Sequence, residues 1–373
     1  MTADDAYRRA QRLAEAGRYE EAERATREGL AGAPGDARLL TLLAWVLRLR
    51  RDYAAALAAG DHAVAAAPHL ADAHAERAES LIVLLRSAEA VAAAEEAVRL
   101  APVDASAHLV LARALTAARA HDRARAAAAH GLALDPRSVD GLLTVADVER
   151  QAGRRDAALA ATHAALAIDP ANSYGRWLIA VLDAERLRVR RSMRGLRDVA
   201  RDNPAAPDLI AMTWPIRGVL SGLRRGLAVG ATLVCVLLIA GHWWPQAGGF
   251  ARIVSAVLAA VLTGFAARVL LPAGRLPWRC LPLLPALMRR AAVAGLVTVA
   301  VAVALLVVHV ATGWAVAAVL ALALAPVLWA YSMIEALGAG LDDPGARQAL
   351  LGVFDEFRDW WTTTKRDLRD AWK

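Results

Sequence analysis

Proline recurs at Pro34, Pro68, Pro102, Pro136, Pro170 and Pro204, at a constant step of 34 residues. A period held this strictly means that the chain repeats one supersecondary unit, which must stack on its own copies to bury an apolar face. Two further columns keep the step. One is Ala10, Ala44, Ala78, Ala112, Ala146 and Ala180; the other is Ala22, Ala56, Ala90, Ala124, Ala158 and Ser192. A third, Gly29, Ala63, Ala97, Gly131, Ala165 and Val199, is small in five of six units. Small residues in fixed columns let paired helices approach closely. The near-identical stretches LALDP (132–136) and LAIDP (166–170) are then the ends of successive second helices, each stopped by proline, which lacks the N–H and clashes with the preceding turn.

Within one period the pattern predicts two helices. Leu40, Leu43, Ala44 and Leu47 fall at helical spacing in 37–49, a turn follows at 50–53, and a second helix runs over about 54–66. With the turns AGRYEEA (16–22) and AGRRDAA (152–158), this pattern resembles the tetratricopeptide repeat (TPR) family over units 3–36, 37–70, 71–104, 105–138, 139–172 and 173–206. The family's early aromatic is missing, and several large apolar positions have become Ala, Gly or Thr. The resemblance implies a right-handed solenoid whose first helices line a concave groove for a protein or peptide partner. By helix phase, partner-binding candidates on that face are Tyr7, Arg38, Trp45, Arg48, Arg113, Asp147, Arg150 and Trp177. Gln11, Thr41, Asp72, Glu79, Ser106, Leu109, Asp140 and Tyr174 share it. Arg48, Arg113 and Arg150 suit a clamp on a partner carboxylate, because guanidinium offers paired donors.

The net charge of +7 invites a nucleic-acid reading, but its distribution argues against one. Residues 1–206 hold 29 basic and 28 acidic side chains, whereas 207–373 hold 15 and 9. The basic excess sits beside apolar segments, as membrane topology requires. Cys235 and Cys280 form no disulfide framework or metal-type spacing. The histidines follow no ligand motif, and His74 and His108 share one repeat column as packing residues. No nucleophile elbow, phosphate-binding loop or kinase signature occurs. The sequence therefore points away from an enzyme and implies no cofactor and no metal.

After residue 207 the composition changes, and 207–225 reads as a basic juxtamembrane linker. Residues 226–244 are free of formal charge, and 253–271 are interrupted only by Arg268. Residues 291–334 form a charge-free run of 44, twice the hydrocarbon thickness, so they must turn, most simply at 311–313. Four transmembrane helices are predicted, at about 226–244, 253–271, 291–310 and 314–334. Arg217, Arg224 and Arg225, then Arg275, Arg279, Arg289 and Arg290, then the basic tail place both termini in the cytoplasm. No signal peptide is expected before the repeats, and a multi-pass protein of a bacterial plasma membrane is. Arg190, Arg194, Arg197 and Arg201 form a stripe suited to anionic lipid. The tail, 338–373, carries Leu350, Phe354, Phe357, Trp361, Leu368 and Trp372 on one face and reads as an amphipathic helix.

The fold class expected is all-α: a solenoid, a four-helix membrane domain and a C-terminal amphipathic helix. The function expected is a membrane-anchored scaffold that holds a protein or peptide in its groove. The alternative is a recruiting or regulatory subunit of a membrane transporter or enzyme complex. Spans rich in Ala, Val, Gly and Leu favour close helix packing and leave homo-oligomerisation open.

Overall fold

In the computed structural model, residues 2–202, 209–240, 246–321 and 323–324 are described, and among them every regular element is helical. The predicted tail helix, most of the fourth span, Pro204 and the start of the predicted linker, 207–208, lie outside the described residues. Two compact units divide the chain, one containing Met1–Ala171 and the other Asn172–Ala339.

The first unit is five helical hairpins: α1 (Ala3–Glu15) with α2 (Tyr19–Gly32), α3 (Ala37–Leu49) with α4 (Tyr53–Ala66), α5 (Ala71–Val83) with α6 (Ser87–Leu100), α7 (Ala105–Ala117) with α8 (His121–Leu134), and α9 (Val139–Gln151) with α10 (Arg155–Ile168). Each begins on the same column. Asp36, Asp104 and Ser138, with Thr2 at the start, accept a backbone N–H of the first turn through their side chains. That satisfies donors the helix itself leaves orphaned. Leu70, in the same column, makes no such bond.

Each hairpin turns on a residue with left-handed backbone, and these too are 34 apart. They are Gly17, Arg51, Leu85, Arg119 and Gly153, with φ of 75°, 64°, 59°, 59° and 79°. The next N–H reaches five residues back, as in Arg18 to the Leu13 carbonyl and Asp52 to that of Leu47. This is the Schellman closure of a helix C-terminus. After each of these second helices the residue before proline leaves the helical region, as at Ala67 (φ −144°, ψ 83°), because the ring excludes that region there.

The small columns lie at the helix contacts. Ala10, Ala44, Ala78, Ala112 and Ala146 are fully buried, as are Ala22, Ala56, Ala90, Ala124 and Ala158. Gly29 shows why: a Cβ there would come within 2.6 Å of the Cβ of Ala6. The column Leu13, Leu47, Leu81 and Leu115 continues as Glu149, which is nevertheless buried. Its charge is met by Arg154, whose Nε donates at 2.5 Å, and by Arg125 from α8 at 3.4 Å.

Two of the second helices, α2 and α6, start with ion pairs of their own. Arg18 and Arg86 hydrogen-bond Glu21 and Glu89 three residues on and hold those carboxyls below their ordinary value. A depressed folded value means that the stabilisation is complete above the ordinary 4.5 and disappears as pH falls through the folded value. Acid unfolding followed by circular dichroism should therefore begin below about pH 4.5. Arg18→Ala/Arg86→Ala should reduce the difference in stability between pH 7 and pH 3. An unchanged difference would show that these pairs contribute nothing.

The second unit starts with one more hairpin, α11 (Ser173–Glu185) and α12 (Val189–Asp202), capped by Asn172 and turned on Leu187 at φ 56°. It continues through α13 (Leu209–Met212), α14 (Trp214–Ala240), α15 (Gln246–Ala273), α16 (Leu276–Cys280), a 3₁₀ turn (Leu281–Leu283) and α17 (Ala286–Thr312). One cluster unites Val189, Met193 and Leu196 of α12 with Val219 and Leu223 of α14, Val269 and Ala273 of α15, Cys280 of α16 and Leu306 of α17. Among the described residues two helices, and not the four expected, are long and apolar enough to cross a membrane: Gly249–Ala273 and Ala286–Thr312, with mean hydropathy 2.1 and 2.8. The expected first span falls on α14 and leaves the described residues at 241, and the expected fourth leaves them after 324. The predicted turn at 311–313 is present, with Gly313 left-handed at φ 73° and closing α17. The Arg252 guanidinium packs against Gly313, in the space a Cβ would occupy.

Candidate functional site

The first helices α1, α3, α5, α7 and α9 pack on one another in order, so residues of one helical phase meet on one side of the first unit. There they line a cavity of about 580 Å³. Tyr7, Gln11 and Glu15 of α1, Arg38, Thr41, Trp45 and Arg48 of α3, Asp72, Glu76 and Glu79 of α5, and Ser106 and Arg113 of α7 contribute to it.

At one end the Arg38 guanidinium lies 4.7 Å from the centre of the Tyr7 ring and pairs with Asp4 at 3.2 Å. Trp45 is half-buried against Ala10, Ala14, Leu42 and Val46 and still lines the cavity, so the residue both packs between repeats and offers an apolar surface. Behind it runs a ladder of charges. Arg48 holds Glu76 with two bonds, 3.2 and 3.1 Å. Arg113 donates to Glu79 at 2.7 Å, to Asp140 at 3.1 Å and to the Thr144 hydroxyl at 3.0 Å. Burial works against both guanidinium charges, but the neighbouring carboxylates outweigh it and raise both pKa values: Glu76 and Glu79 around Arg48, Glu79 and Asp140 around Arg113. For Glu76 burial prevails over Arg48, and its carboxyl rises above the ordinary carboxylate range. The carboxylates expected from a partner are thus already supplied by the chain, for Arg48 and Arg113. Arg150 likewise lies 3.5 Å from Asp147 within α9.

Of the eight partner-binding candidates, Tyr7, Arg38, Trp45, Arg48 and Arg113 come together in this cavity. Asp147 and Arg150 belong to α9 and are not part of its lining. Trp177 lies in the second unit, stacked on Tyr174 with ring centres 5.4 Å apart. Leu109, assigned to the groove face by phase, is instead buried against the position of Gly131. Glu76 was missed, although it lies four residues from Asp72 and three from Glu79 on the same helical face. The histidines His74 and His108 make one and the same bond, Nε2 to the carbonyl of Pro68 and of Pro102, each at 2.9 Å. They fasten the proline turns, and no metal-binding group of His, Cys, Asp or Glu occurs among the described residues.

Paired helices of 13 and 14 residues, repeated every 34, with small residues at the contacts and first helices facing a common cavity, decide the fold. Its N-terminal half has the TPR fold. No family model and no curated protein matches the chain. Solved structures with likeness to it include TTC0263, a thermophilic TPR protein of Thermus thermophilus, at 24% identity over 48% of this chain and 98% of that one, TM-score 0.46. PilW, a type IV pilus biogenesis factor, is 15% identical over 55% and 94%, TM-score 0.45. YrrB, a TPR protein described as having an unusual peptide-binding site, is 20% identical over 44% and 86%, TM-score 0.34. At these scores the likenesses carry no functional argument, and the TPR reading stands on the helices themselves.

Proposed function

We propose that the chain is a membrane-tethered adaptor whose TPR groove holds a peptide or helix of a partner protein. The observation that carries this reading is the cavity of about 580 Å³ in which Tyr7 and Trp45 present apolar surface beside charged side chains. Aromatic groups at the centre of a concave surface are favoured anchors for binding. The lining holds Glu15, Asp72, Glu76 and Glu79 against Arg38, Arg48 and Arg113, so it favours a partner that brings an apolar anchor and a positive charge over one that brings a free carboxylate. Gly249–Ala273 and Ala286–Thr312 support the tether. In this reading 226–244 and 314–334 complete four spans, with both termini in the cytoplasm by the placement of arginine.

The test is photocrosslinking in cells with the full chain. A crosslinker at Trp45 or Thr41, in the cavity, is compared with one at Ala58, exposed on α4. The adaptor reading expects a discrete adduct from the two groove positions and none from Ala58. Equal adducts from all three, or none from the groove, would sink it. Extraction at alkaline pH checks the tether separately, since an integral chain stays with the membrane.

A further inference from the structure

The link between α15 and α17 is folded so that apolar and basic side chains alternate on its outside. Pro277, Cys280, Leu281 and Leu284 point into the unit and are buried. Trp278 and Leu283 are 44% and 65% exposed, and Leu271 and Leu287 are exposed as well. Arg275, Arg279 and Arg290 lie among them, and all three are exposed. Arg289 donates from Nη1 to the Pro282 carbonyl at 3.0 Å, which holds the 3₁₀ turn against the start of α17. No acidic residue occurs between Arg252 and Glu335, so nothing in this segment neutralises it.

The same core cluster carries α12. Its Val189, Met193 and Leu196 share that cluster with Ala273 and Cys280, and Leu276 packs on it. The Trp214 indole at the head of α14 donates to Ser192 of α12 at 3.0 Å. At about 100° per residue, Arg190, Arg194, Arg197 and Arg201 fall within about 60° of one another, beside the buried face, and Asp198 and Asp202 follow about 40° and 80° beyond Arg194 on the side away from that face. All four arginines are exposed. Two basic surfaces with different sequence origins therefore stand on one core, and one of them also exposes a tryptophan and leucines.

We infer that α12 and the 271–290 link form a binding ledge for anionic phospholipid. The phosphodiester headgroups meet the arginines, and Trp278 and Leu283 enter the boundary between headgroups and acyl chains. Exposed apolar side chains between the cations favour a lipid surface over nucleic acid, which would leave them in water. The inference rests on the membrane reading proposed above and goes beyond it, because a tether alone needs no lipid preference.

The test uses the purified full chain in detergent, with phosphatidylglycerol and phosphatidylcholine offered together and retained lipid counted by native mass spectrometry. The chain is expected to retain phosphatidylglycerol over phosphatidylcholine by about tenfold. That preference should fall toward unity in R275Q/R279Q/R290Q and in R190Q/R194Q/R197Q/R201Q, and persist when the same positions become lysine. The lysine variants keep the charges that orient the chain and show whether the glutamine variants fail through misfolding. Equal retention of both lipids, or a preference untouched by either glutamine set, overturns the proposal. Displacement by glycerol 3-phosphate overturns it in favour of a free-phosphate site, and displacement by duplex DNA in favour of a nucleic-acid surface. Should alkaline extraction release the chain from membranes, the tether fails while the lipid counts still decide the ledge.

Discussion

Exchanging Arg48 and Arg113 for glutamate is expected to loosen the TPR array itself, and not simply to remove a contact with a partner. Each guanidinium spans two helices or more: Arg48 links α3 to α5, and Arg113 links α7 to both α5 and α9. Their side chains keep only 21% and 31% of their exposure, and Glu76 and Glu79 keep 20% and 13%. Reversing the charge leaves Glu76, Glu79 and Asp140 facing further carboxylates with no cation between them. Breaking a buried pair costs about 3–5 kcal/mol, and partial exposure reduces this to about 2 kcal/mol per arginine. The double variant should lose about 4 kcal/mol and melt about 10 °C lower. Thermal unfolding by circular dichroism measures it. Arg48→Glu combined with Glu76→Arg should recover much of the loss. A double variant melting with the parent would mean that the ladder is only a surface arrangement. For probing a partner, Trp45 and Gln11 are the better positions, because neither anchors two helices through a buried charge.

A large gain is expected from glycine at the turns. Arg51, Leu85, Arg119 and Leu187 hold φ between 56° and 64°. A side chain in that region costs about 1–2 kcal/mol, and glycine returns part of it as flexibility of the unfolded chain. Each substitution to glycine should therefore stabilise by about 0.5–1 kcal/mol, and the four together by about 3 kcal/mol. These side chains are exposed, so little burial is lost on removing them. Repeats are coupled to their neighbours, so the gain should appear as a rise in midpoint along the whole array. Leu85→Ala is the control. It removes the same contacts but keeps Cβ, and it should leave the melting temperature where it is. A gain equal to that of Leu85→Gly would assign the effect to the lost leucine and not to the backbone.

These two predictions also mark what the sequence could and could not disclose. The period, the proline stops and the small columns were legible, since Ala and Gly at contacts and Pro at helix ends act through size and covalent geometry wherever they stand. The left-handed turns were half legible. Gly17 and Gly153 advertise them, but Arg51 or Leu85 carries no mark of a positive φ, and only the register links these positions to the glycines. Helix phase put Tyr7, Arg38, Trp45, Arg48 and Arg113 on the face that lines the cavity, but Asp147, Arg150 and Trp177 stand outside that lining, and Leu109 is buried against the position of Gly131. The arginine pairings were missed because they join residues far apart in the chain. Their separations are regular all the same: Arg113 to Glu79 is 34, Arg48 to Glu76 is 28 and Arg113 to Asp140 is 27. Those intervals are the neighbour relations of stacked first helices. Read along them, the sequence would have shown each arginine beside an acid. Of the second unit, the turn closed by Gly313 was legible from the length of the charge-free run.

The last hairpin leads to a different kind of conclusion. Its second helix shares a core with α14, α15, α16 and α17, whereas the first five hairpins, within Met1–Ala171, belong to the other unit. A fragment cut at 206, where the repeat period stops, would carry Val189, Met193 and Leu196 stripped of that cover, and should aggregate. One cut at 171 leaves it behind. The same seam limits what recombination can exchange. The sixth repeat therefore goes with the helices that follow it, and whole repeats are most simply gained or lost before residue 172.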